Sequence, residues 1–121
     1  AVGRPVQVIG SPHGSKLSRG SVSAHTLELA GVYSWVLENL QLADGNRGYN
    51  GNGSSNVVLR NVWLTGNQYG AVLGSTADGH LFDRCVALNN AVQALNAEMT
   101  STYFRSNRWV HGVLWGSPTL V

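Results

Sequence analysis

A repeat of about 22 residues is the feature of this sequence that most constrains its fold. Residues 56–67, NVVLRNVWLTGN, form its clearest unit: two short alternating apolar runs are separated by Arg60 and Asn61, and a Thr-Gly-Asn turn follows. Inward apolar positions recur every 22 or 23 residues, at Leu37, Leu59, Phe82 and Phe104. β-Branched and aromatic residues dominate each unit, which favours strands over helices. A fixed period in strand-forming sequence is typical of a solenoid.

The repeat predicts an all-β fold, a right-handed parallel β-helix of about four to five coils. A second apolar column follows the first at Leu40, Val62 and Cys85 and reaches Asn107. The bend between the columns contains Asn39, Asn61, Arg84 and Ser106. A smaller ladder runs through Gly48, Gly70, Ala91 and Gly112. Short strands at regular spacing also occur in β-sandwiches, so a sandwich with hairpins is the alternative fold.

One domain is expected to cover residues 1–121, either as a segment of a longer β-helix or as a subunit of an oligomer. A hydrophobic content of 43% with 15 glycines fits stacked strands and tight turns rather than disorder. The net charge of +2 is too small to indicate a nucleic-acid partner, and no apolar run predicts a transmembrane helix. No signal peptide is visible. The single cysteine, Cys85, excludes an internal disulfide and is predicted to be a buried thiol.

Strands, turns and the first coil follow one another in three stretches, GRPVQVIG, LELAGVYSWVLENLQLADGNR and NVVLRNVWLTGN. This arrangement resembles the opening coils of pectate-lyase-like β-helix proteins, which include polysaccharide lyases and the depolymerase tailspikes of bacteriophages. The resemblance covers most of the chain and implies a β-helix that recognises or degrades polysaccharide. It implies no catalytic residue here, because those lyases carry catalytic Lys, Arg or His on later coils, and no residue of this chain matches such a motif.

A column of charged residues follows the inward column, since side chains alternate along a strand. Its members are Glu38, Arg60, Asp83 and Arg105. Two coils separate Glu38 from Asp83, so their carboxylates are expected very roughly 10 Å apart, at or just beyond the upper limit for an inverting glycosidase pair. These two acids are the catalytic candidates. The alternative is a charge ladder in which Arg60 keeps both acids ionised and each pair contributes roughly 0.2–1 kcal/mol.

Trp63 marks the candidate ligand-binding surface. It belongs to an outward column with Gln41, Val86 and Arg108. An exposed aromatic residue beside arginines is typical of binding to sugars or acidic polysaccharides. The predicted ligand-binding residues are Trp63, Tyr69, Arg60, Arg84, Arg105 and Arg108. The alternatives are stacking of the Trp63 ring on an arginine guanidinium and contact of this ring with a neighbouring protomer.

A calcium site is one interpretation of the turn at residues 44–52. Oxygen-bearing side chains lie along it at Asp44, Asn46, Asn50 and Asn52. One carboxylate and no closing Glu leave this set short of the charge that calcium sites need, so a plain Gly/Asn turn is the alternative. The four histidines fall at different coil positions and form no metal-binding pattern. No other metal or cofactor is predicted.

Two functions remain open from the sequence. The first is polysaccharide recognition by a module of a carbohydrate-degrading protein, a lyase or a depolymerase, whose catalytic residues are not evident in this chain. The second is a non-catalytic structural role in a spike, fibre or assembly. Neither end of the predicted β-helix has a polar capping unit, so we expect a homo-oligomer or end-to-end stacking that covers Trp115. Both functions predict a location outside the cell, at a cell surface or on a virion.

Overall fold

The computed structural model describes residues 6–51, 53–74, 78–97, 108–119 and 121, and the regular structure of these residues is entirely β-strand. The strands, in chain order, are β1 (Val6–Ile9), β2 (Ser15–Ser18), β3 (Leu27–Glu28), β4 (Trp35–Ala43), β5 (Arg47–Asn50), β6 (Val58–Thr65), β7 (Tyr69–Leu73), β8 (Leu81–Asp83), β9 (Val86–Leu88), β10 (Gln93–Ala97), β11 (Arg108–Val110) and β12 (Val113–Trp115). The described residues include no helix long and apolar enough to cross a membrane.

The strands form two parallel sheets wound as one solenoid. The eight-stranded sheet runs β1-β4-β6-β8-β11, with β2 beside β4, and β9 joining β6 to β12. The four-stranded sheet runs β3-β5-β7-β10. The named strands pair in parallel, and the chain makes about 4 turns with a spacing near 23 residues. The prediction of an all-β parallel solenoid is therefore confirmed.

The inward columns follow the predicted register through the first three units and then depart from it. Leu37 pairs with Leu59, and Leu59 pairs with Phe82, as the repeat predicts. The next partner in this column is Trp109, so the assignment of Phe104 was wrong. Phe104, Arg105, Ser106 and Asn107 all lie outside the described residues. The connection that precedes β11 is longer than the repeat predicts. Counting residues at a constant period therefore assigns the wrong residue to this column.

The second sheet also differs from its prediction in detail. The stretch interpreted as one long turn contains β5, whose Tyr49 is buried in the core. The residue opposite Gly70 is Ala94 rather than Ala91, because Gln93 pairs with Tyr69. Gly112 lies between β11 and β12 in the other sheet. Glycine and asparagine are common in turns, so their density hid a strand that is built around a core tyrosine.

Apolar side chains fill the inside of the solenoid, and a cluster of aromatic rings occupies part of this core. The rings of Phe82 and Trp109 stack with centroids 5.1 Å apart. The hydroxyl of Tyr49 and Nε2 of His80 are 2.8 Å apart, and burial raises the pKa of Tyr49. Cys85 is fully buried, as predicted, and burial raises the pKa of its thiol to about 12. A thiol with this pKa stays protonated at neutral pH and is chemically quiet.

A ladder of buried asparagine side chains satisfies the backbone where each coil leaves the first sheet. Asn67 donates through Nδ2 to the Leu42 carbonyl at 3.0 Å and accepts from the Gly45 N–H at 2.9 Å. Asn90 repeats this pattern one coil later, donating to the Leu64 carbonyl at 3.0 Å. A buried amide that both donates and accepts replaces the hydrogen bonds that strands supply elsewhere.

Candidate functional site

Left-handed backbone at one position per coil bends the first sheet. Its members are Asn39 (φ 58°), Asn61 (φ 50°), Arg84 (φ 55°) and His111 (φ 53°). Asn61 donates to the Asn39 side-chain oxygen at 2.9 Å, so the side chains of these two bend residues link adjacent coils. His111, and not Ser106, occupies this bend in the last described coil. Asparagine tolerates this conformation better than most residues, which explains its use at two consecutive bends.

The first bend is longer than those above it. Leu17 follows Val8 by nine positions in the sequence, whereas their partners Leu42 and Leu37 are five positions apart. The additional residues form a turn in which the Gly14 N–H donates to the Ser11 carbonyl at 2.8 Å. The Ser11 N–H also bonds to the Ser15 hydroxyl at 3.1 Å. The turn therefore projects from the solenoid profile instead of following it.

This turn forms one wall of a cleft on the outer side of the first sheet. The cleft has a volume of about 260 Å³ and is lined by Pro12, His13, Gly14, Ser15, Lys16, Leu40, Gln41, Asn61 and Trp63. We refer to it as the Trp63 cleft. The Trp63 side chain is 43% exposed and lies between Gln41 and Val86 in its column. One aromatic ring thus faces solvent beside two side-chain amides.

The polar groups of the Trp63 cleft combine donors and acceptors without a buried charge. Gln41 donates through Nε2 to the Thr65 hydroxyl at 2.8 Å, which orients its amide. Lys16 lies 4.0 Å from an Asp44 carboxylate oxygen, and both side chains are about half exposed. Such a surface ion pair contributes little to stability, so the Lys16 ammonium is available to a ligand. The cleft suits a ligand that has one apolar face and several hydroxyl or carboxylate groups.

The charged column contains the acid, base and acid that were predicted, in the predicted order. Glu38 pairs with Arg60, and Arg60 pairs with Asp83. The Arg60 guanidinium lies 3.6 Å from one Asp83 oxygen, and His111 Nδ1 lies 3.2 Å from the other. Val110, and not Arg105, takes the next place. Alternation of sign along this column is therefore limited to three coils.

The environment of Asp83 favours its charged form. The hydrogen bond from His111, followed by the charges of Arg84 and Arg60, holds the pKa of Asp83 below its ordinary value of 3.8. A general acid needs a carboxyl group whose pKa is raised towards neutrality. The contacts of Asp83 therefore favour the charge ladder over an acid pair with Glu38.

The predicted ligand-binding residues fall into separate places. Trp63 lines the cleft, and Arg60 and Arg84 lie in the charged column and at the bend of the next coil. Tyr69 begins β7 in the other sheet, in a column with Arg47 and Gln93. Arg108 faces Leu81, and Val113 continues the Trp63 column in its place. Arg105 lies outside the described residues.

The residues of the predicted calcium turn have separate partners. Asp44 accepts from the Ser18 hydroxyl at 2.7 Å. Asn50 accepts from Arg47 at 3.0 Å and donates to Glu28 at 3.1 Å. Asn52 lies outside the described residues, which contain no cluster of three His, Cys, Asp or Glu side chains able to hold a metal ion.

Sequence reasoning missed the wall of the cleft and one partner of Asp83. The wall comes from residues 12–16, whose Pro-His-Gly-Ser sequence signals a turn but not its position beside Trp63. The repeat assigned the four histidines to different coil positions, and the shifted register of the last coil concealed the place of His111 beside Asp83. Both contacts join residues whose separation along the chain differs from the repeat.

Comparisons of the chain with protein-family models, with curated proteins and with solved structures found no match. The resemblance to pectate-lyase-like proteins therefore extends to the parallel solenoid and no further. Because one fold supports many functions, the solenoid by itself does not identify a ligand. A proposal about function therefore depends on the geometry of the Trp63 cleft.

Proposed function

We propose that this protein is a polysaccharide-binding solenoid that holds a sugar residue in the Trp63 cleft. The observation that carries the proposal is the half-exposed Trp63 ring at a concave site beside the amides of Gln41 and Asn61. A pyranose ring has one face of C–H groups that packs on an indole, and a rim of hydroxyl groups that bond to amides. Few other polar ligands combine these two requirements.

The exposure of Trp63 is costly for a residue that has no ligand. An outward tryptophan keeps a large apolar surface in water, and its column neighbours Gln41 and Val86 leave it 43% exposed. Trp35 and Trp109, by contrast, pack against the core. A ligand that covers the Trp63 ring would recover the hydrophobic free energy that the fold leaves unused.

Cationic groups at the rim favour a polysaccharide that carries carboxylates. Lys16 lines the cleft, and Arg60 lies in the outward column on the far side of the bend residue Asn61. A polysaccharide chain running along the sheet would pass from the Trp63 ring towards these groups. The proposal covers recognition of a polysaccharide and no catalytic step, because the lowered pKa of Asp83 does not suit a general acid.

Affinity electrophoresis through gels containing neutral or acidic polysaccharides tests the proposal. We expect the chain to be retarded by at least one acidic polysaccharide, and Trp63→Ala to weaken binding roughly tenfold or more, equivalent to ~1.4 kcal/mol. Tyr33→Ala is the matched control, because Tyr33 is exposed to a similar extent and does not line the cleft. Far-UV circular dichroism establishes that both variants fold. Equal retardation of Trp63→Ala and the parent would exclude the Trp63 cleft as the binding site.

A non-catalytic structural role in a spike, fibre or assembly is the second candidate function. Exposed apolar residues at both ends of the solenoid favour it, since the Ile9 side chain is 54% exposed and that of Trp115 is 63% exposed. The two functions are compatible, because Trp63 lies on the side of the solenoid, and β2 contributes both to the cleft and to the first end. Binding and assembly are therefore tested separately.

A further inference from the structure

Both ends of the solenoid expose apolar side chains on strands of the same sheet. At one end, Ile9 of β1 is 54% exposed and Leu17 of β2 is 42% exposed. At the other end, Val113 and Trp115 of β12 are 50% and 63% exposed. Each end therefore presents two short strands with apolar residues, and such a surface is a site for association.

The backbone of β1 directs one set of hydrogen-bonding groups away from the solenoid. The Gly10 N–H donates to the Glu38 carbonyl of β4 at 2.8 Å. Consecutive residues of a strand direct their N–H and C=O groups to opposite edges. The groups of Gln7 and Ile9 therefore lie on the outer edge of β1, where no described strand pairs with it.

The backbone of β11 offers the matching set at the other end. Arg108 donates to the His80 carbonyl at 2.8 Å, and the Val110 carbonyl accepts from Arg84 at 3.0 Å. These two bonds leave the N–H and C=O of Trp109 on the outer edge. In β12, the Val113 N–H donates to the Cys85 carbonyl at 3.0 Å. The N–H and C=O of Leu114 therefore also lie on the outer edge.

The columns of the solenoid make the two ends complementary. Val8 begins the inward column that ends at Trp109, and Leu17 begins the column that ends at Leu114. A second copy placed with its columns in line would set its Val8 above Trp109. Its Ile9 N–H would then meet the Trp109 carbonyl, and its Gln7 carbonyl would meet the Trp109 N–H.

We propose that copies of this chain associate head to tail, with β1 and β2 of one copy pairing in parallel with β11 and β12 of the next. The second pair sets Leu17 of one copy above Leu114 of the other. Ile9 of one copy lies next to Val110 of the other. These two apolar residues belong to the column that contains Glu38, Arg60 and Asp83 within each copy. The contact pairs the outer edge strands of the two ends, and it sets Lys16 and Ser18 of one copy next to Val113 and Trp115 of the other. It does not depend on polysaccharide binding.

A second copy fits this surface better than an unrelated partner because its β1 and β2 occupy the same two columns of the sheet as β11 and β12. The longer bend at residues 11–14 would lie next to His111 and Gly112, which are both exposed. A contact between different ends does not close on itself, so each added copy leaves one end of each kind free. The expected product is an open linear assembly.

Sedimentation velocity on the 121-residue chain, over a range of micromolar concentrations, tests this proposal with one blocked variant for each end. Ile9→Lys blocks the first end, and Trp115→Lys blocks the second, because a lysine on an edge strand opposes pairing. We expect the parent to form larger species as its concentration rises and each variant alone to remain monomeric. An equimolar mixture of the two variants retains one competent end of each kind and should give a dimer of limited size.

Three outcomes would overturn head-to-tail pairing. A parent that stays monomeric at all concentrations excludes a second copy as the occupant. Self-association of either blocked variant indicates a contact between identical ends. A mixture that stays monomeric, with both variants folded by circular dichroism, excludes the complementarity. Leu17→Lys and Val113→Lys provide a second blocked pair, and Trp63→Lys should assemble like the parent because Trp63 lies on the side of the solenoid.

Discussion

Inward and outward side chains of β6 differ sharply in exposure, although they belong to one strand of eight residues that is bent at Asn61. Leu59, Val62 and Leu64 are fully buried, whereas Trp63 is 43% exposed between two of them. The inward residues stack on equivalent residues of the coils above and below, so each is fixed by two neighbours. The outward residues are free of this requirement. A solenoid can therefore vary its outer columns to form a binding surface without changing its core.

Polar residues show the same contrast between inside and outside. Asn67 and Asn90 are buried and bond to backbone groups of neighbouring coils. Asn39 and Asn61 lie at the half-buried bend and bond to each other. Asp83 is also half-buried, and it pairs with Arg60 and with the exposed His111. Loss of these side chains should cost less as their access to water increases, because water replaces lost partners outside and not inside.

Leu59→Ala should have the largest effect on stability. The substitution opens a cavity between Leu37 and Phe82, so we expect the free energy of unfolding to fall by about 2–5 kcal/mol. Trp63→Ala, four residues on in the same strand, should lower it by less, because removal of a 43% exposed side chain opens a groove to water and not an enclosed cavity. Urea denaturation of both variants measures the difference. Similar losses would mean that the inward and outward assignments of β6 are wrong.

Asn67→Ala should have the next largest effect. It leaves the Leu42 carbonyl and the Gly45 N–H without their partner inside the solenoid, at a cost of about 1–3 kcal/mol. Gln68→Ala, at the adjacent half-buried position, is the control and should be close to neutral. Denaturant melts compare the two. An Asn67→Ala protein as stable as the parent would show that the buried ladder does not support the turn.

Asn61→Leu should destabilise the protein although it adds apolar surface. Leucine in the left-handed conformation at this position costs roughly 1–2 kcal/mol, and the bond to Asn39 is also lost. Asn61→Gly keeps the backbone conformation and removes the same bond, so the difference between the variants isolates the conformational cost. Thermal melts suffice to measure it. A higher melting temperature for Asn61→Leu than for the parent would contradict this explanation of the bend.

The pairing of Asp83 should produce the smallest effect, and this effect should disappear in acid. Its pKa is lower in the folded protein than in the unfolded chain, so its stabilising contribution is present above about pH 4 and is lost as the pH falls through the folded value. Melting temperatures of the parent and Asp83→Asn should therefore converge as the pH falls below about 4. Glu38→Gln, in the same column, is the control. A difference that stays constant with pH would show that the carboxylate charge is not responsible.

Regular spacing made much of the fold predictable. The columns through Leu37, Leu59 and Phe82 and the bend at Asn39 and Asn61 follow from residue types that recur at nearly constant intervals. The candidate site was predictable only at its centre, Trp63, because the alternation of β6 identifies an outward aromatic residue without its neighbours. Its wall comes from a turn whose additional residues interrupt the repeat between Val8 and Leu17.

Hydrophobic alternation and period determined from the sequence alone that the chain forms a parallel solenoid, since both are local properties that each coil repeats. Only the tertiary structure decided which residue continues a column after a connection of unusual length. Trp109 stacks on Phe82, and Tyr49 enters the core from an apparent turn, because ring stacking and interstrand hydrogen bonds fix register in space. The same holds for His111 beside Asp83 and for the turn beside Trp63. These contacts depend on the lengths of connections, and residue type does not encode those lengths.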